Sequence, residues 1–191
     1  DGKDAIYGGV GDAETFAGMG DDFVSAGTGI NTVFGNAGND WIEGGDGADL
    51  LQGDNGDPFQ ASTVIGHDVL IGDGNDDYDA ESGDDIMFGT PGINRAEGML
   101  GFDWVTYKND LEASDADLNR TIFAAPALND VRDRFDLVEG VSGWDRDDVI
   151  RGDDRVAADL TTVPVGAIFN DALNTPEDIA VIDGLAALLG G

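Results

Sequence analysis

Single apolar residues recur along the first part of the chain at a fixed interval. Ile6, Thr15, Val24, Val33, Ile42 and Leu51 stand nine residues apart, Thr15 being the least apolar of the set. One inward residue between two outward neighbours is the alternation of a very short β-strand, not the stripe of a helix. Glycine keeps the same beat at Gly2, Gly11, Gly20, Gly29, Gly38, Gly47 and Gly56. Two places after each of the first six comes Asp4, Ala13, Asp22, Asn31, Asp40 and Asp49, so the unit reads GGxGxDxUx with U apolar. The period degenerates around Pro58, resumes at Gly66 and then, one residue short, at Gly74, Gly83, Gly92 and Gly101. Asp68, Asp76, Asp85, Asn94 and Asp103 keep the acidic slot, and Leu70, Tyr78, Met87, Ala96 and Val105 the apolar one. Glycine permits the positive φ and close backbone approach of a sharp turn and leaves carbonyls free of side-chain bulk. Each nonapeptide therefore predicts a tight turn followed by a three-residue strand, in a repeat array.

Charge changes the picture. The chain has 191 residues, 40 acidic and 9 basic, for a formal net charge of −31, with 30 glycines and no cysteine. Disulfide scaffolds and cysteine-ligated zinc are excluded. So acidic a surface repels nucleic acid and anionic lipid and leaves cations as the expected partners. No apolar run is long enough to span a bilayer, and no signal peptide is expected at the start, where Asp1 in place of Met suggests an excised piece. Self-repulsion on this scale argues for disorder, yet hydrophobic residues make up 41%, too many for a solvated tail. Packing the apolar residues requires that the acid be neutralised. Up to Thr106 lie 23 of the 30 glycines and only Lys3 and Arg95 among the nine basic residues, so a boundary is expected there.

The repeats resemble the RTX, or haemolysin-type, calcium-binding nonapeptide, most closely in GNAGNDWIEGGDGADLLQG (35–53). The resemblance implies an all-β fold: a parallel β-roll over 1–106, a calcium-filled solenoid with two nonapeptides per turn. Residues 18 apart would then stack, at about 4.8 Å per layer. One edge would carry Asp4, Asp22, Asp40, Pro58, Asp76 and Asn94, the other Ala13, Asn31, Asp49, Asp68, Asp85 and Asp103. Bare carboxylates so spaced repel by on the order of several kcal/mol at an effective dielectric near 20, and a cation between turns reverses the sign. Carboxylate and carbonyl oxygens suit calcium better than zinc, copper or magnesium. The resemblance implies several calcium ions, held by those acidic and amide slots with turn carbonyls of Gly20, Gly38, Gly47, Gly74, Gly83 and Gly101. The pairs expected to be strongest are Asp4–Asp22, Asp22–Asp40, Asp49–Asp68, Asp68–Asp85 and Asp85–Asp103. Ala13 and Pro58 supply no carboxylate.

Other readings fit less well. A metal-free solenoid or linker leaves the phase-locked carboxylates without a purpose. DGNDDYDAESGD (73–84) fails as an EF-hand, with Tyr78 at its sixth position and Asp84 at its twelfth. An ice-binding face wants threonine ladders, whereas Glu14, Thr32 and Leu50 share a column; calcium-dependent adhesion stays open. Carboxylate pairs are too plentiful to mark a glycosidase, no phosphate loop or activated nucleophile is found, and no catalytic residue is assigned. Outward slots divide into an apolar set (Phe16, Phe34, Leu50, Val69, Ile71, Ile86, Phe88, Trp104) and a charged one (Glu43, Asp77, Asp79, Arg95, Glu97), with Tyr7, Phe23 and Trp41 placed beside the charged set. Residues 107–191 are expected to form a mixed capping or linker segment over the apolar face. Within it 129–140 suggests a helix running into a strand, 147–154 an isolated repeat strand, and 176–189 a helix capped by Thr175 and Pro176. Stretches 98–119 and 132–154 resemble the linker of secreted bacterial haem peroxidases of the animal type, implying an oxidoreductase parent. No haem is expected here, since His67 is the only histidine and occupies a variable, solvent-facing slot. The expected whole is a monomeric calcium-binding module, secreted by a bacterium, contacting other domains of its parent and folding on calcium to aid export and stability.

Overall fold

A computed structural model describes residues 1–56, 64–123 and 132–155. Its regular structure is entirely β. Strands β1 (Ala5–Val10), β3 (Phe23–Thr28), β5 (Trp41–Gly47), β7 (Val69–Gly74), β9 (Ile86–Phe88), β11 (Trp104–Thr106) and β14 (Gly140–Ser142) make one parallel sheet in that order. The facing sheet runs β2 (Glu14–Met19), β4 (Thr32–Ala37), β6 (Leu50–Gln52), β8 (Asp77–Asp79), β10 (Arg95–Glu97) and β13 (Arg134–Asp136), again all parallel. From β1 to β11 the chain alternates strictly between the two sheets, which is the winding of a parallel β-roll.

The lone apolar residue of each unit points between the sheets. Val24, Ile42, Leu70, Met87 and Val105 form one buried column, and Val33, Leu51, Tyr78, Ala96 and Phe135 the other. A core one residue deep from each side is thin, so its stability depends on what happens at the turns. Ala96 stands between Tyr78 and Phe135, a small residue between two large ones, as close packing of a narrow interior requires.

Several expectations need correction. The chain does not exchange edges at Pro58 as a nine-residue count implies, because β5 pairs directly with β7 (Trp41↔Val69) and β6 directly with β8 (Leu50↔Asp77). No rung therefore stands between those strands; residues 57–63, Pro58 among them, lie outside the described residues. The outward residues regroup accordingly. Phe23, Trp41, Val69, Ile86 and Trp104 form one continuous apolar column on the seven-stranded sheet, with the Tyr7 ring packed against Phe23 at its head, whereas Phe16, Phe34 and Leu50 belong to the sheet of Asp77, Asp79, Arg95 and Glu97. Val69, Ile86 and Phe88 are buried, packing with Trp41 and Ile71.

The roll also passes the composition shift at Thr106, since β13 and β14 extend both sheets by one more coil. No helix occurs in 132–140; that stretch supplies those two strands. The strand expected in 147–154 is β15 (Val149–Arg151), which pairs with β12 (Asp115–Asp117) in a separate two-stranded sheet. The helix expected at 176–189 lies outside the described residues, among which no helix is long and apolar enough to cross a membrane.

Candidate metal centre

Each turn is stitched to its neighbours by side chains that accept backbone N–H groups one coil away. On the first rim one carboxylate oxygen of each acidic-slot residue accepts from the N–H of the same slot in the preceding coil: Asp4 to Asp22 at 2.8 Å, Asp22 to Asp40, Asp40 to Asp68 and Asp68 to Asp85 at 2.7 Å each, Asp85 to Asp103 at 3.0 Å and Asp103 to Glu139 at 3.0 Å. The second rim repeats this with Ala13 to Asn31 (3.1 Å), Asn31 to Asp49 (2.7 Å), Asp49 to Asp76 (2.9 Å), Asp76 to Asn94 (3.0 Å) and Asn94 to Asp133 (2.7 Å). A slot that receives the N–H of the preceding coil needs a side-chain oxygen acceptor, which Asp, Asn and, in the last coil, Glu139 all supply. The pairing expected between Asp49 and Asp68 does not exist. Asp68 stacks on Asp40 and Asp76 on Asp49, because β7 pairs directly with β5 and β8 directly with β6.

The second oxygen of these carboxylates is the informative one. Oδ2 of Asp22, Asp40, Asp49, Asp68, Asp85 and Asp103 is buried and accepts no hydrogen bond. A buried polar atom without a partner costs about 1–3 kcal/mol, more when charged, and here five stand in one column. Backbone oxygens converge on the same places. A Cβ at Gly44 would lie 2.6 Å from Asp49 Oδ2, and one at Gly35 would collide with Asp40 Oδ2 while lying 2.7 Å from the Gly53 carbonyl. At Gly53 it would meet Asp68 Oδ2 and lie 2.6 Å from the Ala80 carbonyl; at Gly66 it would collide with the Gly38 carbonyl and lie 3.1 Å from both oxygens of Asp68. The glycines thus keep open oxygen-lined cradles, and Gly20, Gly38, Gly47, Gly83 and Gly101 also hold positive φ of 125–158°. Gly35→Ala is expected to raise the calcium needed for half-maximal folding about tenfold, read by circular dichroism, since the new methyl occupies the cradle of Asp40.

Electrostatics agree with the geometry. Burial pushes Asp40 up to about 7 and Asp76 up to about 6. Asp68, Asp85 and Asp103, sealed from solvent, are raised well above the usual carboxylate range by burial first and by neighbouring carboxylates second. A hard divalent cation fits this all-oxygen, acidic, glycine-lined donor set.

The rims differ in how far the protein satisfies them itself. On the second rim the Asn31 amide donates to the Gly44 carbonyl at 3.3 Å, the Asn94 amide to the Thr90 carbonyl at 3.1 Å, and the Tyr107 hydroxyl to Asp133 Oδ2 at 2.7 Å. Asp76 Oδ2 accepts the Gly74 N–H at 3.1 Å. Only Asp49 there keeps a free buried oxygen among the described residues. Asp4 is exposed and donates its N–H without presenting a buried oxygen. At the far end of the first rim Arg155 binds Glu139 Oε1 at 2.8 Å and the Val138 carbonyl, placing a guanidinium beside the last turn.

Sequence reasoning missed Asp133 and Glu139, whose turns lack the glycine signature. It also missed a second ladder running the opposite way through the residue before each acidic slot. Asn39 N–H donates to Asp21, His67 N–H to Asn39 at 2.9 Å, Asp84 N–H to His67 Nδ1 at 2.8 Å, and Phe102 N–H to Asp84 at 2.9 Å. His67 is therefore a stitching residue, its Nδ1 an acceptor. On the outer face Asp77, Asp79 and Glu97 come together, with Arg95 bound to Asp77 at 2.5 Å and to Glu97 at 2.9 Å.

Comparison with known proteins bears on the same segment. Residues 16–51 and 25–59 match the family model described as RTX calcium-binding nonapeptide repeat (4 copies). No curated protein and no solved structure matches the chain. Residues 16–59 thus carry repeats of the RTX calcium-binding nonapeptide type, and the matched segment includes strands β3 to β6 of the parallel β-roll.

Proposed function

We propose that this chain is a calcium-operated folding module of a larger secreted bacterial protein, held open where calcium is scarce and closed where it is plentiful. The observation that carries this reading is the column of five buried, partnerless oxygens of Asp22, Asp40, Asp68, Asp85 and Asp103 on one rim. Bound calcium would supply the positive charge that lets successive carboxylates approach. Asp22, Asp40, Asp68, Asp85 and Asp103 would hold it on the first rim and Asp49 on the second, while Asn31, Asn94 and Tyr107 close the second rim with protein hydrogens. Because the one-residue-deep core cannot outweigh the repulsion of bare carboxylates, the free energy of metal binding becomes folding free energy. Such a chain stays extended in a calcium-poor cytosol, a form suited to export, and winds up outside. Any enzymatic activity, of the haem-peroxidase kind on the resemblance of 98–154, belongs in this reading to the parent protein.

The test is a calcium titration at neutral pH followed by far-ultraviolet circular dichroism. Little ordered β-structure under chelator, a cooperative rise on adding calcium and reversal by chelator are expected. Equal order with and without calcium overturns the proposal.

A further inference from the structure

One buried carboxylate has no place in the repeat. Asp54 is the second residue of the turn that leaves the first rim at Gly53 and returns to it at Gly66. Its side chain is fully buried. Oδ2 accepts the Gly66 N–H at 2.6 Å and shares the Ser82 hydroxyl (3.1 Å) with the Val64 carbonyl (2.8 Å). Oδ1 is buried and has no hydrogen-bond partner. The free oxygen of Asp68 lies in the same neighbourhood, since a Cβ on Gly53, the residue before Asp54, would run into it. The charge of Asp54 acts on Asp68, where Asp85 and Asp40 add to the repulsion, and Asp54 itself feels the charges of Asp40 and Glu81. Two sealed carboxylates, each with one oxygen satisfied and one bare, are strongly destabilising unless a positive charge joins them.

We infer that Asp54 Oδ1 and Asp68 Oδ2 share one divalent hard cation, calcium, on the first rim beside Gly53 and Gly66, so that a residue outside the nonapeptide pattern becomes a metal ligand. The inference rests on the calcium reading above. Its structural consequence is a clasp: Asp54 holds Gly66 through one oxygen and the rim ion through the other. The repeat loses the continuity of its turn at this coil, and Asp54 restores it.

The experiment uses the whole 191-residue chain. Asp54→Asn keeps an acceptor for Gly66 and places an amide where Oδ1 stood, the substitution that Asn31 already represents on the other rim. Calcium binding by calorimetry with chelator competition is expected to show one ion per chain weakened about tenfold or more, or lost, with the remaining ions and the β-sheet spectrum at saturating calcium unchanged. An unchanged set of affinities overturns the inference. Should the variant fail to fold, crystals of the unaltered chain grown with calcium decide the matter by anomalous scattering. A peak about 2.3–2.6 Å from Asp54 Oδ1 is expected. Peaks along the rim with none at Asp54 overturn the clasp and leave the repeat reading standing, whereas a chain that binds no calcium at all overturns the repeat reading and the clasp together.

Discussion

Asp68→Ala is expected to raise the calcium midpoint of folding by about ten- to a hundredfold, whereas enlarging Ala13 to serine changes it less than twofold. Asp68 lies in the middle of the first rim and is fully buried. Its Oδ1 takes the N–H of Asp40, and its own N–H goes to Asp85. Truncation strands the Asp40 N–H, at about 1–3 kcal/mol, and deletes one ligand charge; tenfold corresponds to about 1.4 kcal/mol. Ala13 sits at a slot whose N–H already donates to Asn31 and which supplies no carboxylate to lose. Asp68→Asn separates the two contributions, because the amide keeps the rung and lacks the charge. Equal midpoints for Asp68→Ala and Ala13→Ser, measured by circular dichroism against free calcium, would refute the stacking of charge along this rim.

The outcome at Asp68 also marks where sequence alone stops. A nine-residue period fixes which residues turn and which point inward, so the strands, the buried column and the acidic slots were legible from Gly2 to Gly101. Which slot stacks on which depends on a period of eighteen, and a count in nines cannot tell whether residues 53–65 add half a coil or none. The hydrogen bond from Asp40 to Asp68, 28 residues on, settles that they add none. The last coil escaped notice for a different reason. Asp133 and Glu139 occupy the acidic slot without glycine before them, and Asp133 stacks on Asn94 across 39 residues of sequence, far from the period of eighteen. The ladder through Asp21, Asn39, His67 and Asp84 was invisible because its members share only the ability to accept a hydrogen bond, a property that no residue-type pattern records. Likewise, Asn31 and Asp49 look alike in the motif, yet the amide satisfies its own cradle and the carboxylate does not.

Acidification without calcium is expected to increase order, the reverse of ordinary acid denaturation. Burial raises Asp40, Asp54, Glu97 and Glu139 to about 7 and Asp76 to about 6, and also raises Asp68, Asp85 and Asp103 well above the usual carboxylate range. Unfolded, the aspartates titrate near 3.8. Between these limits the folded chain binds more protons than the unfolded one, so its stability falls as pH rises. The contribution of each such group is fully present below about 4 and lost as pH climbs through about 6 to 7. For a sealed carboxylate like Asp40 or Asp54, three pKa units amount to on the order of 4 kcal/mol, enough for a few of them to decide whether a thin core holds. Protonation does for a bare rim part of what a cation does, removing the charge that keeps successive turns apart. Far-ultraviolet circular dichroism in chelator should therefore show β-structure rising from pH 8 to pH 5, short of the isoelectric region near 4.1 where the chain loses its solubilising charge. With calcium present the dependence inverts, because protons and calcium compete for the same oxygens, and the calcium midpoint should climb as pH falls below about 7. Order that declines steadily from pH 8 to pH 5 in chelator would mean that these carboxylates are solvated in the metal-free fold, and the rims would then have no need of an ion.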